Sequence, residues 1–155
     1  MFTTNNKLIN ETLEKARNSP RKREVYCFSS PQDKIQRMIN VGLKETYVRP
    51  HKHENPDKLE IFSILKGKVA ILIFDDIGKI TDSIILDEDK DNKAVEIPAK
   101  TWHSFIVLSD EAALYEIIEG PYDPKSHKKF AEFAPEEGTD EAAKYLQNKV
   151  NYINK

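Results

Sequence analysis

Apolar residues alternate with polar ones through most of this chain, from residue 24 to residue 118. A period of two puts successive side chains on opposite faces of a strand, so each alternating run predicts a strand with one buried face. Many short strands joined by tight turns favour an antiparallel sandwich or barrel. The pattern predicts nine strands, at 25–28, 38–43, 46–48, 59–65, 69–74, 80–86, 95–97, 102–108 and 113–118.

Helical periodicity appears near the two ends of the sequence. Apolar residues recur at helical spacing over about 6–18, and this helix should end at Ser19 because the residue before a proline avoids helical backbone angles. A second helix is predicted at about 139–153, with Thr139 as its N-cap. We therefore expect a helix on either side of the strand-rich part.

Length and charge narrow the possible functions. The 155 residues suffice for one domain, 1–155, whose core barrel we expect at about 24–120. The formal charge of -2 arises from 24 basic and 26 acidic residues that are interspersed, so no basic surface is available for nucleic acid. The longest apolar run, 69–74, is too short for a signal peptide or membrane span. Cys27 is the single cysteine, which suits a reducing compartment. We expect a cytoplasmic protein without nucleic-acid or membrane partners.

Three of the four histidines and one glutamate have the chemistry of a metal site. His51 and His53 are two residues apart and share a face if the segment is a strand. Glu60 falls on the apolar side of its predicted strand, where an unpaired carboxylate would cost several kcal/mol. His103 lies on a later strand whose two faces are both largely apolar. Imidazole nitrogens with one carboxylate suit Fe, Mn, Ni, Co or Zn and leave coordination positions open.

Two simpler interpretations remain open at this point. In a chain rich in Lys and Glu, an HxH pair is often solvated at the surface. Glu60 and His103 can also pair with each other, or with backbone groups, inside an apolar core.

The order of these residues resembles the two sequence motifs of the cupin superfamily, whose members are small jelly-roll barrels. The resemblance implies a mainly β fold, a cupin-type antiparallel jelly-roll barrel with a short N-terminal helix and a C-terminal helix. It also implies one divalent transition metal held by four ligands. The matching residues are His51, His53, Glu60 and Gly67 in the first motif and Pro98 and His103 in the second, and the implied ligands are His51, His53, Glu60 and His103.

Six short strings lie between about residue 19 and residue 138: Ser19-Pro20-Arg21-Lys22-Arg23, Gln36-Arg37-Met38, Tyr47-Val48-Arg49-Pro50-His51-Lys52-His53, Trp102-His103, Gly120-Pro121-Tyr122-Asp123-Pro124 and Phe133-Ala134-Pro135-Glu136-Glu137-Gly138. Together they resemble the WbuC family of cupin-fold metalloproteins. Members of that family are found among bacterial surface-polysaccharide (O-antigen) genes, which implies a sugar or nucleotide-sugar intermediate as the small-molecule ligand.

Further polar residues are candidates for ligand binding or proton transfer. Arg49 and Tyr47 have the same parity as His51, so regular alternation points them toward the ion. A guanidinium there can clamp a carboxylate or phosphate, and a surface ion pair is the alternative. Glu60 and Tyr47 are the candidate catalytic groups. His127 lies outside both motifs and is predicted to be exposed. The remaining candidate ligand-binding residues are Arg37, Tyr115 and Tyr122.

Several functions fit this sequence. The chain can be a metal-dependent isomerase or epimerase acting on a sugar, or an iron-dependent dioxygenase with the same ligands. It can also be a non-catalytic module that binds a small, sugar-derived or anionic molecule. A metal-free sugar isomerase using His51 and His103 as bases is a further alternative. We also expect a homodimer, with the N-terminal helix and first strands at the seam, because association covers exposed sheet edges.

Overall fold

A computed structural model describes residues 1–153, so the predicted domain, 1–155, extends two residues beyond the described part. In the described residues two helices flank ten strands, whereas the periodicity predicts two helices and nine strands. The elements are α1 (Asn6–Asn18), β1 (Arg23–Cys27), β2 (Ile35–Leu43), β3 (His51–Lys52), β4 (Glu60–Lys66), β5 (Lys68–Phe74), β6 (Ile80–Asp87), β7 (Ala94–Ile97), β8 (Trp102–Val107), β9 (Glu111–Glu119), β10 (Lys129–Phe130) and α2 (Asp140–Ile153). Neither helix in the described part is long and apolar enough to cross a membrane.

The strands form two antiparallel sheets of five strands each. One sheet has the order β1-β2-β9-β4-β7, and the other has the order β10-β3-β8-β5-β6. Strands that are distant in sequence are neighbours in both sheets, as in a jelly roll. The prediction of a mainly β antiparallel fold with a helix at each end is confirmed. The two sheets are not closed into a barrel.

The largest apolar core fills the space between the two sheets. Each fully buried Val, Leu, Ile or Phe contributes roughly 1.5–3 kcal/mol, so this core supplies a large part of the stability of the fold. Its larger members include Phe62, Ile64, Ile71, Leu86, Ile97, Phe105 and Leu114.

The two helices cover different surfaces, because α2 packs Leu146 and Val150 against an apolar cluster of β5 and β8, whereas α1 packs on β2 and β9. In α1, Ile9, Leu13 and Ala16 are buried in a second apolar cluster with residues of β2 and β9. The predicted cap of α2 is confirmed, because the hydroxyl oxygen of Thr139 accepts a hydrogen bond from the N–H of Ala142 at 3.2 Å.

One predicted strand is wrong and two short ones were not predicted. Residues 46–48 form no strand, because the Thr46 hydroxyl donates to the carbonyl of Lys22 at 2.6 Å and accepts from the N–H of Leu43 at 2.9 Å. These bonds hold a turn. The chain becomes a strand only at β3, which pairs with the unpredicted β10.

Candidate metal centre

The topology brings the four predicted metal ligands together between the sheets. In one sheet β3 pairs with β8 so that His51 lies opposite His103. In the facing sheet Glu60 begins β4, opposite Ile118 of β9. His53 follows β3 directly. The resulting cluster of His51, His53, Glu60 and His103 is called the metal centre below.

The metal centre is compact and buried. One ligand atom from each of its four residues lies within 4.8 Å of the others, and the side chains could hold a metal ion. Each residue is between 1% and 3% exposed. Oε2 of Glu60 is 2.7 Å from Nε2 of His103 and 3.4 Å from Nε2 of His53. The solvated HxH pair considered from the sequence does not occur.

Backbone carbonyls fix the orientation of all three imidazoles. A carbonyl can only accept a hydrogen bond, so the ring nitrogen facing it must carry the hydrogen. The second nitrogen of each ring, Nε2, then points at the metal centre, an arrangement typical of metal-binding histidines. The contacts join Nδ1 of His51 to the oxygen of Arg49 (3.0 Å), Nδ1 of His53 to that of His127 (2.5 Å) and Nδ1 of His103 to that of Thr101 (2.9 Å).

The unpaired atoms of the cluster fit a divalent transition metal. Nε2 of each histidine and Oε2 of Glu60 are buried without a hydrogen-bond partner. Burial lowers the pKa of His51 well below its usual range, so this ring is neutral. A pairing of Glu60 with His103 alone would leave Nε2 of His51 and His53 unsatisfied. A cation satisfies all four atoms, and three imidazoles with one carboxylate suit Fe, Mn, Ni, Co or Zn.

A cavity of about 630 Å³ opens onto the metal centre at His51. We call it the ligand cavity, because its lining contains several polar groups that converge beside the centre. A larger cleft of about 1070 Å³ lies along α2, but none of the four candidate ligands lines it. The polar and aromatic residues that line the ligand cavity include Asn40, Glu116, Tyr122, His127 and Lys128.

Glu116 is a second buried carboxylate in the ligand cavity and was missed in the sequence. It lies on β9, is 3% exposed, and its Oε2 accepts a hydrogen bond from the Asn40 amide at 2.7 Å. Burial and the nearby carboxylate of Glu60 raise the pKa of Glu116 to about 8. Glu116 shares its parity with the buried Leu114 and Ile118, so the parity argument that selected Glu60 would also have found it.

His127 is also part of the ligand cavity, and the prediction that it is exposed is wrong. It is 8% exposed, and its ring lies 4.8 Å from the ring of Tyr122 and 5.1 Å from that of His53. Burial, with a smaller effect of the neighbouring Lys128 charge, lowers the pKa of His127 to about 3. Its Nδ1 is buried without a hydrogen-bond partner. The flanking lysines suggested exposure, but β10 folds this segment against β3.

Comparison with protein families gives one match. The family described as "Domain of unknown function (DUF6016)" matches residues 4–86, more than half of the chain. The chain belongs to this family. No curated protein matches the sequence.

Solved structures similar to this DUF6016 protein include cupin-fold proteins. The capsular polysaccharide assembling protein CapF from Staphylococcus aureus is 22% identical, with a TM-score of 0.61 over 74% of this chain and 33% of CapF. CapF bound to the inhibitor 3-isopropenyl-tropolone gives 23% identity, the same coverage of both chains and the same TM-score. A cupin superfamily protein from Desulfitobacterium hafniense is 14% identical, with a TM-score of 0.50 over 63% of this chain and 76% of that one. The predicted cupin-type fold is confirmed, and this chain spans about a third of CapF.

Tyr47 and Arg49 do not line the ligand cavity. Thr46, Val48 and Pro50 are buried and then His51 and His53 are buried, so the alternation changes phase between Pro50 and His51. The side chains of residues 47 and 49 therefore point away from the ligand cavity. The Tyr47 hydroxyl donates to the carbonyl of Pro135 at 2.9 Å, and Nη2 of Arg49 donates to that of Ala131 at 3.0 Å.

The other candidate ligand-binding residues divide between the cavity and the outer surface. Tyr122 lines the ligand cavity. Arg37 is on the face of β2 opposite Gln36 and Met38, which line the cavity, and it forms an ion pair with Asp33 at 3.4 Å. Tyr115 packs against the apolar cluster under α1. Sequence parity alone therefore located only part of the ligand-binding surface.

Proposed function

We propose that this protein is a metal-binding cupin of the WbuC type whose ligand is a sugar or nucleotide-sugar intermediate of bacterial surface-polysaccharide synthesis. The proposed reaction is isomerisation or epimerisation of that ligand, and binding without catalysis is the alternative. The observation that carries the metal proposal is the convergence of three buried Nε2 atoms on the Glu60 carboxylate, with each Nδ1 already bonded to a carbonyl. The CapF likeness supports the polysaccharide link, because CapF is named as a capsular polysaccharide assembling protein. We also propose a cytoplasmic location, because a single cysteine cannot form an internal disulfide and suits a reducing compartment.

His51, His53, Glu60 and His103 are the proposed ligands of one divalent transition metal. Such an ion supplies Lewis acidity to a carbonyl or hydroxyl oxygen of the small-molecule ligand. The chain itself holds the three imidazoles in one orientation through their Nδ1 contacts. Since those acceptors are main-chain oxygens, the orientation does not depend on further side chains.

We assign the proton-transfer role to Glu116 in the ligand cavity. In its ionised form this side chain can take a proton from a carbon of the ligand, and the carboxylic acid so formed can return it to the same or a neighbouring carbon, so the composition of the ligand is unchanged. Asn40 holds one oxygen of this carboxyl group. Tyr47, the candidate considered from the sequence, donates its hydroxyl hydrogen to Pro135 and lies outside the cavity. In this proposal Glu60 serves as a metal ligand.

Hydrogen exchange with solvent separates an isomerase or epimerase from a binding module. Metal-loaded protein would be incubated in heavy water with a panel of uridine- and thymidine-diphosphate sugars, and deuterium uptake would be followed by mass spectrometry. We expect uptake into at least one sugar by the wild type, and its loss in Glu116→Gln with the metal retained. No uptake by metal-loaded wild type across the panel would contradict the enzymatic proposal and favour the binding module.

The homodimer remains part of the proposal. β1 is an edge strand, and Val25 and Tyr26 on it are exposed apolar residues. An exposed apolar edge is a surface that a second copy can cover. Light scattering should give twice the chain mass at micromolar concentration, and adding a charge with Val25→Lys should lower it. A monomeric mass for the wild type would contradict the dimer.

A further inference from the structure

The segment from Tyr122 to Phe130 forms one wall of the ligand cavity although it lies outside both motifs. β10 pairs with β3, which places Phe130 opposite His51 and Lys129 opposite Lys52. Side chains alternate along a strand, so Lys128 has the orientation of Phe130, and both line the cavity. Lys129 points away and forms an ion pair with Glu54 at 2.7 Å.

Lys128 differs from the other cations of the cavity because it is not neutralised. Arg21 and Arg23 also line the cavity, but both form ion pairs with Glu137, at 2.9 and 2.5 Å. Within residues 1–153, Lys128 forms no ion pair. Lys128 is half-buried and lines the ligand cavity.

His127 provides a second, independent indication of a ligand. Its side chain is more than nine-tenths buried in the cavity wall between Tyr122 and His53, and its Nδ1 has no hydrogen-bond partner. A buried polar atom without a partner costs about 1–3 kcal/mol unless something satisfies it. A polar group of a bound molecule would do so.

We propose that Tyr122, His127 and Lys128 form an anion subsite, which binds the phosphate or carboxylate group of an oxygen-rich molecule whose other end reaches His51 and Glu116. The ammonium group of Lys128 compensates the negative charge, and the unpartnered nitrogen of His127 meets a ligand oxygen or hydroxyl group. The cavity of about 630 Å³ has room for a sugar carrying such a group. The inference rests on the proposed function for what happens at the metal centre, and it adds the class of ligand.

The test uses the full chain as purified, with its metal content measured first. Inorganic phosphate and acetate are titrated separately into ¹⁵N-labelled protein, and the amide signals of residues 122–130 are followed by NMR. We expect these signals to shift with at least one anion. Lys128→Gln should weaken that binding by at least about tenfold, which corresponds to the lower range of a hydrogen bond to a charged group. Response to phosphate alone identifies a phosphoryl ligand, and response to acetate alone identifies a carboxylate.

Two further variants make the result specific. Lys129→Gln removes the same charge one residue away, on the opposite side of the strand, and should bind the anion as the wild type does. Lys128→Arg keeps the charge and should retain most of the affinity, which excludes misfolding as the reason for a loss. Equal loss in the Lys128→Gln and Lys129→Gln variants, unchanged affinity in Lys128→Gln, or no shift of the wild-type signals would each overturn the subsite.

Metal content separates this inference from the proposed function. Protein that lacks a metal and still binds the anion through Lys128 keeps the subsite and overturns the metal proposal. Metal-loaded protein that binds neither anion overturns the subsite alone.

Discussion

Removing the Asn40 side chain tests how the wall of the ligand cavity is held. Asn40 donates to Oε2 of Glu116 at 2.7 Å, and Glu116 is 3% exposed. Leaving a buried carboxyl oxygen without its partner costs about 1–3 kcal/mol, with the higher values for an ionised group. Asn40→Ala should therefore lower the free energy of unfolding by about 1–3 kcal/mol.

Urea denaturation in the presence of a chelator measures this loss without a contribution from metal binding. A double-mutant cycle with Glu116→Ala isolates the pair, and we expect a coupling energy of about 1 kcal/mol or more. Asn18→Ala is the matched control, because the Asn18 amide donates to the carbonyl of Glu14 at an exposed position of α1. Its cost should stay within about 0.5 kcal/mol. A coupling energy below about 0.5 kcal/mol for Asn40 and Glu116 would refute the reasoning.

Three further predictions concern the fold. Leu114→Ala should cost about 2–5 kcal/mol in urea denaturation, because Leu114 is 1% exposed in the core between the sheets, and a loss under about 1 kcal/mol would contradict that core. Gly67→Ala should destabilise by at least about 1 kcal/mol, since its φ is +76° and an added Cβ would meet the Glu111 carbonyl; an unchanged urea midpoint would contradict this. Hydrogen bonds from Lys66 and Arg17 outweigh burial and hold the pKa of Glu111 below its usual range. The ionised Glu111 therefore stabilises the folded state above the ordinary glutamate pKa of about 4.3, and this stabilisation is lost as the pH falls through the folded-state pKa. The stability difference between wild type and Glu111→Gln should therefore shrink from pH 7 to pH 3, and a constant difference would contradict the ion pairs.

The regular elements were predictable because their periodicity is local. Helix α1 occupies the predicted residues 6–18, and the long strands match their apolar runs. The two-residue strands β3 and β10 carry no period and exist because β3 pairs with β10 on one side and with β8 on the other. Residues 46–48 looked like a strand by composition, but the hydroxyl of Thr46 holds a turn with Lys22 and Leu43.

The site shows the same division between local and distant information. Motif spacing indicated His51, His53, Glu60 and His103, and these side chains are brought together. Parity misdirected Tyr47 and Arg49, because the buried face changes phase at Pro50. The same parity rule also indicates Glu116, which shares its parity with the buried Leu114 and Ile118.

His127 and Lys128 could not be predicted from local patterns. Their segment is rich in lysine and appears exposed by composition. It enters the ligand cavity only because β10 pairs with β3, far away in the sequence. Contacts of this range leave no periodic signal in the segment itself.

Metal analysis of protein purified without a histidine tag tests the central claim most directly. We expect about one first-row transition metal per chain in the wild type, measured by plasma mass spectrometry. His103→Ala and the double variant His51→Ala, His53→Ala should lose it while circular dichroism shows the fold retained, and His127→Phe, a buried histidine that is not a ligand, should keep it. Stoichiometric metal in the ligand variants, or a wild type that takes up no transition metal when one is supplied, would contradict the metal centre.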